Sequence, residues 1–210
     1  MAVIVLEGPD SSGKSTLSQV LLKDLSPVFQ ELEITRSPVK ENGWSPHYSH
    51  FLRDYEELHQ GQLGILDRTP EISESIYGTL RGNARTSFMY EAYGWMHTPI
   101  FMIFCQGHPE GFLRGIHRDA EDNALGDPEL RVLTRLYDLT SKQIRMSWLR
   151  GGSANFRTVE YSRYVRSGWI TLLWALNEWL VMQYPEMEDE ISKALSYSID
   201  SAFPMPKETF

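Results

Sequence analysis

Gly8-Pro9-Asp10-Ser11-Ser12-Gly13-Lys14-Ser15-Thr16 sets two glycines, a lysine and a hydroxyl at the spacing of a phosphate-binding loop. The flanks agree with it. Val3-Ile4-Val5-Leu6 is an apolar run suited to a buried strand, and Ser15 to Leu22 has the composition of the helix such a loop opens into. In this arrangement Gly8 and Gly13 let the backbone curl until successive N–H groups face one centre, and the helix N-terminus adds its partial positive charge. Lys14 contributes a point charge. Ser15 offers a hydroxyl to a Mg²⁺ ion shared with phosphate oxygens, because Mg²⁺ takes oxygen ligands and keeps several waters. The whole stretch from Gly8 to Thr16, with Pro9, Asp10, Ser11 and Ser12 inside it, is therefore the candidate site for a nucleotide's phosphates.

Outward from the loop, apolar runs alternate with helical segments. Glu31 to Thr35 is expected as a second strand, stopped at Arg36-Ser37-Pro38, and Ile65-Leu66-Asp67 as a third, with a carboxylate at its C-terminal end in Walker-B-like fashion. Pro99 to Phe104 is a fourth strand and Phe156 to Tyr161 a fifth. Helices are expected at His47 to Gln60, Ile72 to Leu80 and Ser87 to Met96. A further one starts at Asp127-Pro128, an N-cap followed by a first-turn proline, and closes at Gly151. Alternation of this kind predicts an α/β fold with three layers: a central parallel sheet of about five strands, helices on both faces, and a lid. The 210 residues are read as one domain, with a lid near 109–127, a helical C-terminal segment at 163–195 and an extended tail at 200–210.

Composition narrows the function classes. Twenty Lys and Arg against 28 Asp and Glu leave a net charge of −8, which opposes sequence-independent attraction to nucleic acid. Cys105 is the single cysteine and sits in an apolar run, where it packs as a small hydrophobe, so a reducing cytoplasm is expected. The N-terminus lacks the basic start and apolar segment of a signal peptide. Trp169 to Met182 is the most apolar stretch, yet it is too short and polar to span a bilayer. It is a core or interface helix. Trp169, Trp174 and Trp179 are spaced by five and do not share one narrow helical stripe, so a homodimer contact through some of them is expected.

Parallel α/β sheets bind ligands beyond the C-terminal ends of their strands, where the loop, Arg36, Asp67 and Arg68 all fall. Guanine-specific switches carry an Asn-Lys-x-Asp element, which is absent, and a motor ATPase would place Glu after the strand-end Asp where this chain has Arg68. Phosphoryl transfer needs two substrates in line and positive charge on the transferred group. Arg36, Arg68, Arg114 and Arg118 could supply that charge, although each alone also suits a solvated surface, and Arg114 with Arg118 could be one helix face. Phe51 or Tyr48, with Tyr77, could stack on a base; the same aromatics also suit a core.

These motifs together resemble the thymidylate kinase family and, more broadly, the P-loop nucleoside and nucleotide kinases, including phage-encoded relatives. The resemblance runs from about Val3 to Tyr161 through the Gly8–Thr16 loop, Thr35-Arg36-Ser37-Pro38, Asp67-Arg68 with Ser73 and Tyr77, and His108-Pro109-Glu110 leading to Arg114 and Arg118. It implies ATP with Mg²⁺ as cofactors, and Lys14, Arg68 and the lid arginines Arg114 and Arg118 as catalytic cations. It also implies Ser15 and Asp67 at the metal, Asp10 as a catalytic residue that contacts the acceptor's sugar hydroxyl or helps activate it, and Arg36, Phe51, Asp67, Arg68 and Tyr77 around the acceptor. Two departures stand out: the Arg68–Ser73 spacing is one residue longer than in thymidylate kinases, and Ser37-Pro38-Val39 replaces their Glu-Pro-Gly-Gly run.

The expected activity is ATP-dependent phosphorylation of a nucleoside monophosphate, a deoxypyrimidine by preference, in the cytoplasm, or in the host's if phage-encoded. Alternatives are a deoxynucleoside kinase, a kinase of 5-hydroxymethyl-pyrimidine in phage DNA, and an ATP-gated interaction protein. Small-molecule acceptors are the expected partners. DNA enters only in the third reading, and a membrane in none.

Overall fold

The computed structural model describes residues 1–9, 12–36, 62–69, 72–73, 76–77, 98–106, 127–151, 156–162 and 165–200. Five strands run as β1 (Ala2–Glu7), β2 (Ile34–Arg36), β3 (Leu63–Asp67), β4 (Ile100–Gln106) and β5 (Phe156–Ser162). Helix α1 (Lys14–Leu25) follows β1 and α2 (Asp127–Gly151) precedes β5. After β5 come α3 (Arg166–Gln183), a 3-10 turn (Pro185–Met187) and α4 (Glu188–Asp200). The strands form one sheet in the order β2-β3-β1-β4-β5, and every neighbouring pair is parallel.

Alternation along each central strand builds the layers. In β1, Ala2, Ile4 and Leu6 face one side with Leu63 and Ile65 of β3 and Phe101 and Ile103 of β4, covered by α1, α3 and α4. Val3 and Val5 face the other side with Leu66, Met102 and Phe104, covered by Leu133, Tyr137 and Ile144 of α2 and by Ile72 and Ile76. Both faces of β1 are dry, which is why its sequence is a continuous apolar run. Trp179 of α3 lies tilted on Phe101, centroids 5.4 Å apart, and Trp169 meets Tyr161 edge-on at 6.0 Å. Full burial of side chains this large stabilises by about 2–3 kcal/mol each.

The expected three-layer α/β fold is thus observed, with corrections at element ends. Glu31 is not in a strand: it adopts φ 59 in the turn after α1, and β2 begins only at Ile34. The C-terminal helical segment divides at Tyr184, where Pro185 interrupts the ladder, and α4 runs on to Asp200. Asp127–Gly151 is helical over the full expected span. Ile72, Ser73, Ile76 and Tyr77 are helical, as expected of their segment. The helices expected at 47–60 and 87–96, the lid near 109–127 and the tail beyond 200 lie outside the described residues.

The order of the strands positions the site. From β1 the chain leads outward to β2 on one side, and from β4 outward to β5 on the other, so the connections diverge at the paired C-terminal ends of β1 and β4, the place where such sheets open a crevice. The glycine-rich loop leaves β1 at that point.

Candidate functional site

Backbone geometry makes the loop. Gly8 takes φ 148, and a Cβ there would lie 2.4 Å from the Cys105 carbonyl oxygen of β4 and 2.9 Å from Ser12 Oγ, so only glycine lets the loop pass against β4. Gly13 takes φ 89 as the N-cap of α1 and brings no side chain to cap it, which leaves the first-turn N–H groups for an anion. Ser12 closes the curve by donating its N–H to the Pro9 carbonyl at 3.3 Å. Lys14 is buried, and its Nζ donates to the carbonyls of Gly8 at 2.9 Å and Pro9 at 2.7 Å, with Ser12 Oγ at 3.5 Å. The lysine thus holds the loop's shape while keeping its charge at the centre of the curve.

Two strand ends meet the loop. Arg36 pairs in register with Asp67, and Asp67 with Leu6, so the ends of β2, β3 and β1 lie side by side. Ser15 Oγ, on the exposed first turn of α1, donates to Asp67 Oδ2 at 3.5 Å, while Thr16 beside it is exposed. A serine hydroxyl facing a carboxylate at this distance offers Mg²⁺ one or two hard oxygen ligands and leaves its other positions to phosphate and water, so the pair fits that ion. Among the described residues no three His, Cys, Asp or Glu cluster as a metal cage.

Arg68 sits in the left-handed region at φ 75, costly for a residue with a Cβ. Its N–H donates to the Leu6 carbonyl at 2.9 Å, its guanidinium reaches the Gly8 carbonyl at 3.5 Å, and it lies over the Tyr77 ring, 5.2 Å from the centroid. Tyr77 in turn meets Tyr137 edge-on at 6.4 Å. The arginine therefore stands at the mouth of the loop on an aromatic seat.

One residue escaped the sequence reading. Glu7 ends β1 on the same face as Val3 and Val5 and is fully buried; its Oε1 accepts from Thr69 N at 2.6 Å and from Thr69 Oγ1 at 2.8 Å. Burial pushes its carboxyl up from 4.5 to about 7, and the Thr69 bonds and the charges of Arg68 and Lys14 keep it from rising further. Glu7 Oε2, Ser73 Oγ and the Tyr137 hydroxyl are buried without a hydrogen-bond partner of normal geometry among the described residues. Burial also holds the Tyr137 phenol well above its usual range, with the Glu7 charge adding to it. A charged residue at an inward position of an otherwise apolar strand was the signal in the sequence.

Of the other expected residues, Asp10, Ser11, Phe51, Arg114 and Arg118 lie outside the described residues. Gly8, Pro9, Ser12, Gly13, Lys14, Ser15, Asp67, Arg68 and Tyr77 come together at one end of the sheet, and the backbone of Arg36 joins them. Cys105 packs in the core, its thiol pushed up to about 12 by burial, as expected of a small hydrophobe. No helix among the described residues is long and apolar enough to cross a membrane.

A parallel five-stranded sheet in this order, with helices on both faces and the phosphate loop leaving β1, is the fold of the P-loop kinases. Among solved structures, the chain is similar to the YorR protein of Bacillus subtilis, whose structure is a complex with phosphorylated GDP; the TM-score is 0.54 and the identity 17%, over 95% of this chain and 96% of that one. A deoxyadenosine kinase from M. mycoides superposes more loosely, with a TM-score of 0.46 and 18% identity over 75% of this chain and 89% of that one. In sequence, 78 residues are 27% identical to a guanylate kinase of Helicobacter hepaticus, a match over 37% of this chain that spans 39% of that enzyme's length. No family model matches.

Proposed function

We propose that this protein is a P-loop kinase that transfers a phosphoryl group from ATP, with Mg²⁺, to a nucleoside or nucleotide. The observation that carries this reading is the Arg68 guanidinium, 3.5 Å from the Gly8 carbonyl of the loop that also encloses Lys14. That spacing sets a planar cation where an acceptor would meet the donor's terminal phosphate. Lys14 and the N–H groups of α1's first turn would hold the donor phosphates, and Ser15 with Asp67 would hold the Mg²⁺, which neutralises phosphate charge when bound. Arg68 would bind an anionic or hydroxyl-bearing acceptor, with Arg36 beside it and Asp10 at its sugar hydroxyl. Phe51 and Tyr77 would flank its base, and Arg114 and Arg118 would close over the triphosphate from the lid. The guanylate kinase match and the nucleotide held by the YorR protein support a small-molecule nucleotide acceptor.

Within that class we favour a deoxypyrimidine monophosphate, as the resemblance to thymidylate kinases through Asp67-Arg68, Ser73 and Tyr77 implies, in a protein of the cytoplasm and of phage type. The whole chain would then act as one kinase domain. A homodimer is supported by α3: Trp169 and Trp179 are buried, whereas Trp174 is 68% exposed beside exposed Ile170.

The test is ADP release with Mg-ATP across a panel of nucleosides, nucleoside monophosphates and hydroxymethylated DNA, followed by mass measurement of the product. Turnover with one nucleoside or monophosphate class, abolished by Lys14→Ala and lowered to a measurable residue by Arg68→Ala, both in folded protein, is the expected result. ATP binding without acceptor-dependent turnover would assign the chain instead to nucleotide-gated interaction.

A further inference from the structure

The inward position at the end of β1 is where the row of Val3 and Val5 would be cheapest to continue with another aliphatic residue. The chain places a carboxylate there instead, fully buried. Enclosing it costs several kcal/mol unless it does something an aliphatic side chain cannot.

What Glu7 does is grip the residue after Arg68. Its Oε1 takes both the N–H and the hydroxyl of Thr69, while the Leu6 carbonyl takes the N–H of Arg68 at 2.9 Å. The last two residues of β1 thus hold 68 and 69 by three hydrogen bonds. Thr69 passes the constraint on, since its carbonyl accepts from Ser73 N at 3.0 Å and its Oγ1 from Ile72 N at 3.5 Å, starting the helical turn that carries Tyr77. Between these anchors Arg68 is kept at φ 75, a conformation that the unrestrained chain would leave.

We infer that Glu7 is a positioning residue for Arg68: by clamping Thr69 it holds the left-handed turn that aims the guanidinium across Tyr77 toward the Gly8 carbonyl. This rests on the kinase reading only where acceptor binding is concerned. The clamp itself is a property of the fold. Without it the turn relaxes toward φ < 0, the guanidinium swings off its seat, and the acceptor loses its cation while the phosphate loop keeps Lys14.

The experiment compares wild type with Glu7→Leu, Glu7→Gln and Thr69→Val, each also built with Arg68→Ala. Gln keeps an acceptor oxygen for Thr69, and Thr69→Val removes the hydroxyl's bond to Glu7 Oε1 and its weaker one from Ile72 N without disturbing shape. For Glu7→Leu and Thr69→Val the expected result is a rise of about tenfold in the acceptor's KM with the KM for ATP within about twofold of wild type, as loss of one or two buried hydrogen bonds would give. Glu7→Gln restores wild-type values, and none of the changes adds to the loss already caused by Arg68→Ala. The proposal is overturned if both KM values move together, or if the effect persists in the Arg68→Ala background. Should no acceptor turn over, the kinase reading fails and the clamp is decided by NMR. Faster exchange of the Thr69 amide and a displaced Arg68 Nε–H resonance in Glu7→Leu, with both as in wild type in Glu7→Gln, uphold it. Unchanged exchange and an unmoved Arg68 resonance refute it.

Discussion

Ser15 Oγ and Asp67 Oδ2, 52 residues apart in the chain, face each other at 3.5 Å across the gap between the first turn of α1 and the end of β3. The gap exists because β1 and β3 pair in parallel register, Leu6 beside Asp67, so the loop leaving one strand must arch over the end of the other. Two hard oxygens are brought together by topology alone. Ser15→Ala and Asp67→Asn are each expected to raise the Mg²⁺ concentration needed for half-maximal activity by about tenfold, in line with the cost of losing one ligand-shell oxygen. A magnesium titration at saturating ATP checks this, and an unchanged midpoint in both variants counts against the assignment.

Gly8→Ala meets the Cys105 carbonyl at 2.4 Å and a backbone at φ 148. The obstacle is main chain on a central strand, which cannot swing aside, so the expected loss of stability is about 1–3 kcal/mol. Urea denaturation measures it directly. A variant as stable as wild type would mean that the loop does not pass β4 as closely as described.

Glu7 makes stability depend on pH in an unusual direction. Its carboxyl titrates at about 7 in the folded protein against 4.5 when unperturbed, so between those values the native state holds a proton that the unfolded chain has released. Its contribution is therefore fully present below about pH 4.5, declines as pH rises, and is gone above about pH 7. The change is on the order of 3 kcal/mol. Comparing wild type with Glu7→Gln isolates it: the variant should be the more stable protein at pH 8 and lose that advantage near pH 4.5. Equal differences at both values would show that Glu7 carries its charge throughout.

Much of the architecture was readable because each signal was local. The β1 run, the two loop glycines and the Asp127-Pro128 start of α2 each specify their own geometry. The misread places depend on distant partners. Glu31 to Ile34 alternates like a strand, but Glu31 turns at φ 59 as the chain leaves α1, and the paired strand begins only at Ile34. Glu7 reads as an ordinary strand end until Thr69, 62 residues away, supplies its two donors. The contact of Tyr77 with Arg68 likewise depends on the fold and has no local signal.

Trp174 allows the proposed dimer to be tested apart from folding. At 68% exposed it contributes little to the core, whereas Trp179, 1% exposed against Phe101, holds the sheet to α3. Trp174→Glu is expected to shift the protein from dimer to monomer in light scattering with thermal stability nearly unchanged. Trp179→Ala should cost about 3–5 kcal/mol. A wild-type protein that stays monomeric at every concentration would refute the dimer.

Calorimetric titration of Mg-ATP into wild type and Lys14→Ala tests the central claim, that the loop between β1 and α1 holds a nucleotide's phosphates. Saturable one-to-one binding by wild type is expected. Loss of the Lys14 ammonium should weaken it about tenfold or more, as removal of a charge-assisted contact does, in a variant whose circular dichroism is unchanged. Absence of heat from any purine triphosphate with folded wild type, or equal affinity in Lys14→Ala, would contradict the account.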